Sequence, residues 1–207
     1  MRPQHLRLAA VGAAVIAAAA MTACGSSAAP AGTTTSSPPA STSPASTPAA
    51  SFSTADVAFA TGMLRLEDQS TAMAALVAGH TTSAALRQFA GHLRGHDTGT
   101  RHMRDLMGEW RQPAPGATAS GGMGPGMMGT RDWDEMTREH GRGFNGHWLD
   151  AMIANHAAEI TLCRAELRSG TSPQGRALAR TMLAQRLAEL AQLQRWHHDH
   201  QHNDAHH

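Results

Sequence analysis

From Thr54 onward, apolar residues recur every three to four positions in four long stretches separated by polar or Gly/Pro breaks. That is the period of amphipathic helices. The first helix runs from Thr54 to about Ala78 on a stripe of Phe59, Met63, Leu66, Met73 and Leu76. Ser53/Thr54 caps it, with Asp56 in the first turn. The second runs from about Thr82 to Trp110 on Leu86, Phe89, Leu93, Met103, Leu106, Met107 and Trp110. Pro113 and Pro115 stop it. The third spans about Gly143 to Arg168, carrying Trp148, Leu149, Met152, Ile153, Ile160 and Leu167, with Gly170 as its C-terminal cap. Ser172-Pro173 opens the fourth, which runs through Leu178, Met182, Leu183, Leu187, Leu190 and Leu193 to Trp196. Asp132 to His140 adds a short helix. No alternating strand pattern competes, and the class is all-α.

These helices fall into two related pairs. Ala55–Ala74 and Phe144–Cys163 align at one constant offset, pairing Phe59 with Trp148, Met63 with Met152, Leu64 with Ile153, Glu67 with His156, and Met73 with Leu162. Further on, Met107-x-x-Trp110 aligns with Leu193-x-x-Trp196. Two related helical hairpins predict an antiparallel four-helix bundle, which places residues of both copies on facing helices.

The ends of the chain are of another kind. Arg2, His5 and Arg7 precede a charge-free Ala/Val/Ile run from Leu8 to Met21, and Met21-Thr22-Ala23-Cys24 has the form of a lipobox. Residues 1–23 therefore read as a lipoprotein signal peptide with Cys24 as the lipidated first mature residue. The apolar run is too short to span about 30 Å of hydrocarbon. From Gly25 to Ser51 the chain is Ser, Thr, Pro and Ala without charge. It reads as a tether, residues 24–52, that cannot bury enough apolar surface to order itself. The expected location is the outer face of the cell membrane, lipid-anchored. The compact domain is then 53–198, with a Gly/Met-rich loop at 113–130 and a His-rich tail at 199–207.

Composition narrows the function. A net charge of +1 gives no footing for nucleic acid. With Cys24 carrying lipid, Cys163 is a lone thiol and no internal disulfide forms. The unusual feature is 14 His and 12 Met in a chain with 4% aromatics. On the third helix Met152, His156, Glu159 and Cys163 fall within about 60° of one another at ~100° per residue. Met63 and Glu67 hold the same stripe in the first copy. His92 and His96, four residues apart, lean toward the core with Met103 and Trp110. Imidazole with soft sulfur suits copper(I), and imidazole with carboxylate suits zinc or iron. The competing reading makes His156 a hydrogen-bonded core residue, pairs Glu67 with it or with an arginine, and leaves the methionines to packing. The exposed methionines of GGMGPGMMG read first as linker contacts, with soft copper ligation as the alternative. A di-iron oxidase would need Glu-x-x-His, which the chain lacks. No nucleophile triad, phosphate loop or Cys-x-x-Cys is present, so no enzyme is expected. The tail from His197, HHDHQHNDAHH, offers His197, His198, His200 and His202 as ligands for copper(II) or zinc once they are deprotonated.

At Met123–Cys163 the chain resembles the domain of unknown function 305 family of exported bacterial proteins. The matching residues are Gly126-Met127-Met128, Phe144-Asn145, Trp148-Leu149, Met152-Ile153 and His156, and the resemblance extends over about Ala55 to Trp196. It implies a ferritin-like four-helix bundle and, for some members, copper binding or copper tolerance in the cell envelope. The family's paired histidines stand here as Asn155-His156, and as Leu66-Glu67 in the first copy. The function expected is an envelope lipoprotein that binds or sequesters metal ions, most of all copper, without catalysis. Copper(I) would lie in the bundle at Met152, His156, Cys163 and Met63. The alternative is a degenerate interaction or structural module.

Overall fold

The computed structural model describes residues 52–116 and 124–204. The signal segment, Cys24, most of the tether, Met123, His206 and His207 lie outside the described residues. Six helices follow in order: α1 Thr54–His80, α2 Ala84–Leu93, α3 Asp97–Glu109, α4 Thr130–Met136, α5 Gly141–Ser169 and α6 Pro173–Asp204. No strand occurs among the described residues.

Four helical columns form a ring, with α2 and α3 sharing one of them. The α1 column packs on α2, α3 and α5, and α6 packs on α5 and α3. Cross-column bonds give the directions. Along α1 and α5, Trp148 Nε1 donates to the Met73 carbonyl and Asn155 Nδ2 to the Leu66 carbonyl, so rising numbers on one column meet falling numbers on the other. Between α2–α3 and α6, His92 meets Glu189 and His96 meets Gln185, again in opposite directions. The short α4 sits against α5.

The second column is not the continuous helix expected from Thr82 to Trp110. It breaks at Arg94–His96, where Gly95 N–H bonds to the His92 carbonyl and His96 N–H to the Leu93 carbonyl. Gly91, Gly95 and Gly99 weaken the helix there by about 1 kcal/mol each relative to alanine. Its end is also earlier than the prolines require. Arg111 adopts a left-handed φ of 54°, and Gln112 N–H closes onto the Met107 carbonyl, so the chain has left the helix before Pro113.

Local chemistry explains the other boundaries. Ser53 and Asp56 form a capping box at the start of α1. Ser172 Oγ accepts from Gly175 N–H ahead of Pro173. Gly170 ends α5 as expected, but in extended backbone (φ −69°). Its lack of a side chain serves packing: the Glu166 carboxyl fills the space a Cβ would take. The last six-residue stretch of α6 replaces the tail expected from Asp199, since the helix continues to Asp204.

The Gly/Met loop is no exposed linker where it is described. Met128 is buried, and Gln69 holds it by both backbone groups, accepting from its N–H at 2.7 Å and donating to its carbonyl at 2.9 Å. Met127 is half-buried.

The core has two apolar halves. One contains Met73, Phe89, Trp148, Met152 and Leu193; the other contains Phe59, Met63, Met103, Cys163 and Met182. On every column the two halves are separated by polar residues: Glu67 on α1, His96 at the break, His156 and Glu159 on α5, and Arg186 and Glu189 on α6.

Candidate metal centre at the buried charged layer

Arg186 organises this layer. Its guanidinium, fully buried, pairs with Glu67 of α1 and Glu159 of α5, and donates to Glu189 at 2.7 Å one turn on along α6. Burial alone would make the guanidinium easier to deprotonate, but Glu159, Glu67 and Glu189 outweigh it and hold Arg186 charged. One cation cannot neutralise three carboxylates. Burial, opposed by Arg186 and reinforced by Glu67 and Glu189, raises the Glu159 pKa and favours its neutral form. Burial likewise pushes Glu189 up, but hydrogen bonds from His156 and His96 and the charge of Arg186 prevail, holding it well below the usual carboxylate range.

Glu189 faces two ways. Its Oε2 takes Arg186 and, at 3.2 Å, His156 Nε2. Its Oε1 turns toward the break in the second column, 3.1 Å from His92 Nε2 and 3.2 Å from His96 Nε2. Potential ligand atoms of His92, His96 and Glu189 all lie within 4.8 Å of one another. The His92 side chain is 59% exposed and that of His96 10%, so this face of Glu189 reaches solvent on one side. A cleft of about 710 Å³ opens beside the break, reaching His96, Gln185, Arg186 and Glu67. His96 Nδ1 is buried without a hydrogen-bond partner. Two imidazoles and a carboxylate form a borderline donor set that fits copper(II) or zinc and leaves a coordination position open.

The soft-ligand site expected on α5 does not assemble. Met152, His156, Glu159 and Cys163 do share one buried face. At 1.5 Å rise per residue, however, Met152 and Cys163 are about 16 Å apart along the axis. They fall in different halves of the core, and Met63 lies with Cys163. Angular alignment on a helix is not proximity, because the rise separates the ends of the stripe. His156 Nε2 faces Glu189. Burial, aided by Arg186, lowers the His156 pKa against the pull of Glu189 and favours neutral imidazole. Burial and the charge of Glu159 push the Cys163 thiol up to about 12, so it offers no thiolate near neutrality. Glu67 is held by Arg186, as the competing reading allowed. Four sulfur and nitrogen donors around one copper(I) are therefore not what this core provides.

Of the expected ligands the structure brings together His92 and His96 at the break, with His96 turned inward as expected and His92 mostly exposed. Glu189 and Arg186 were missed. The one available signal was the presence of Arg186 and Glu189 amid the apolar stripe of α6, between Met182 and Leu193. His197, His198, His200 and His202 lie on the last turns of α6, about two to four turns beyond Glu189.

Comparison with known proteins agrees with the all-helical architecture. The crystal structure of a DUF305 protein from Streptomyces coelicolor, described as secreted, superposes with a TM-score of 0.59 at 20% identity. The match covers 67% of this chain and 88% of that one. No curated protein matches the chain. The family profile for the domain of unknown function 305 matches residues 56–197, most of the chain and every helical column, and the chain belongs to the DUF305 family.

Proposed function

We propose that this chain is an exported, membrane-tethered protein that binds a divalent metal ion, copper(II) or zinc, at His92, His96 and Glu189, without catalysis. The observation that carries the reading is the convergence of two imidazoles on the outward oxygen of a carboxylate that stays ionised. Arg186 and His156 fix that carboxylate from behind, as outer-shell partners orient metal ligands elsewhere. Arg186 alone faces Glu67, Glu159 and Glu189, so the layer favours further positive charge at the break.

Export is supported by the signal-like start of the chain and by the family relative described as secreted. No helix among the described residues is long and apolar enough to cross a membrane. Lipid on Cys24 would then supply the anchor, and the Ser/Thr/Pro/Ala segment the spacing.

The second reading, a structural or interaction module, is favoured by one feature: the centre of the bundle is already filled by an arginine. Isothermal titration of copper(II) and zinc into the mature protein at pH 7.4 separates the two. The metal reading expects one bound equivalent to weaken at least about tenfold in the His92→Ala/His96→Ala variant. Binding identical to wild type in that variant would overturn the site at the break, and none in the wild type would support the module.

A further inference from the structure

We infer that the last turns of α6 form a second metal site, a two-imidazole chelate of His198 and His202 for one divalent ion, copper(II) ahead of nickel and zinc. It deepens the metal-handling reading but uses none of the residues of the site at the break.

As a flexible tail, the His-rich end of the chain would be six interchangeable imidazoles. Helix α6 makes them different. It runs unbroken to Asp204, and at 3.6 residues per turn His198 and His202 rise on one face. Their ring centroids are 4.2 Å apart with planes at 75°. Both are exposed. The neighbouring histidines point elsewhere. His197 Nε2 meets Asp150 of α5 at 2.8 Å and Gln201 Nε2 at 3.3 Å. The His200 ring packs over Gly146, its Nε2 2.8 Å from where a Cβ would stand, and Arg142 donates to the His200 carbonyl at 3.5 Å. These contacts moor the end of α6 to the start of α5. A terminus that would otherwise fray therefore presents a fixed pair of imidazoles to solvent.

The chemistry follows from that spacing. A metal–nitrogen bond of about 2.0–2.1 Å places two ligating nitrogens about 3 Å apart, which small side-chain rotations reach from two rings whose centroids are 4.2 Å apart. Imidazole affinity rises from nickel to copper(II) and falls at zinc. Two ligands leave the remaining coordination positions to water, so the ion exchanges readily. Binding uses the imidazole lone pairs, so protons compete with the ion.

The test uses the mature chain carrying His92→Ala and His96→Ala, so that the site at the break does not contribute. Copper(II) is titrated calorimetrically at pH 7.4. The expected result is one ion whose affinity falls at least about tenfold on His198→Ala or on His202→Ala, because one imidazole loses the chelate. Gln201→Pro, which keeps every histidine but breaks the last turn, should cost as much, while Gln201→Ala should cost little. Affinity unchanged by His198→Ala and His202→Ala overturns the proposal, and so does full affinity in Gln201→Pro, which would make the histidines a flexible chelator. No binding at all also overturns it. None of these outcomes bears on the site at the break, which is read in the chain with His92 and His96 intact and His198→Ala/His202→Ala in place.

Discussion

Two carboxyls at one end of the bundle show how neighbours decide what a residue is. Asp56 accepts from the Ser53 N–H and hydroxyl, from the Thr171 N–H and hydroxyl, and from the Ser172 N–H. Burial raises its pKa, but these donors outweigh it and hold Asp56 well below the usual carboxylate range. Glu166, buried beside it against Gly170 and Gly175, has no such donors. Burial, then a hydrogen bond to Asp56 and its charge, push Glu166 up to about 8. The folded state therefore keeps a proton on Glu166 that the unfolded chain releases near 4.5. A raised carboxyl pKa stabilises the fold fully below the unfolded value, and that contribution is lost as pH rises toward the folded one. Urea midpoints at pH 5, 7 and 9 should thus fall more steeply for wild type than for Glu166→Gln, whose amide does not titrate. Equal slopes would show that Glu166 is ionised in the fold. Asp56 works in the opposite direction, stabilising above its unfolded value of 3.8 and losing that contribution as pH falls below it.

Among the elements, breaks and straps matter as much as the helices. The interruption at Arg94–His96 brings His92 and His96 together beside Glu189. The segment from Gly124 to Gly129 is held down by Gln69 and by close approach at Gly126. Gly126 has a φ of +75°, and a Cβ there would overlap the Ala158 Cβ and lie 2.8 Å from the Ala154 carbonyl. Both conditions favour glycine. Gly126→Ala should destabilise the fold by about 1–3 kcal/mol through this overlap with α5 backbone and side chain, measured by urea denaturation. Gly79→Ala, where nothing lies within 4 Å, is the control and should not destabilise. Wild-type stability of Gly126→Ala would mean that the strap lifts freely from α5.

At the scale of the whole molecule, a charged layer divides the core, and a Ser/Thr/Pro/Ala-rich stretch precedes the helices in sequence. The layer is costly to bury, and its ion pairs compensate only as a set, since removing one partner leaves others uncompensated. That stretch and Cys24 bear on location. In the reading proposed above, Cys24 carries lipid, and more than one acyl chain is needed for stable anchoring. Cys24→Ser should then move the protein from the membrane fraction to the medium, followed by immunoblot of fractionated cells. Continued membrane association of that variant would rule out the lipid as the anchor.

The helical period by itself determined the all-α class, the extent of α1 and α5 to within a few residues, and the caps at Ser53, Ser172 and Pro173. These depend on contacts within one or two turns. It also placed the paired positions Phe59/Trp148, Met63/Met152 and Glu67/His156 inside, and all six are buried. Only the tertiary structure decided what those residues face. Arg186 and Glu189 meet Glu67, Glu159 and His156 from another column, which no periodicity within α6 can foretell. The stripe from Met152 to Cys163 was legible as a face, but its ends lie in separate halves of the core. The break at Gly95 and the helical course of the tail to Asp204 likewise rest on packing: a weak helix yields where Glu189 engages His92 and His96, and a polar, His-rich end stays helical where Asp150, Gly146 and Arg142 receive it.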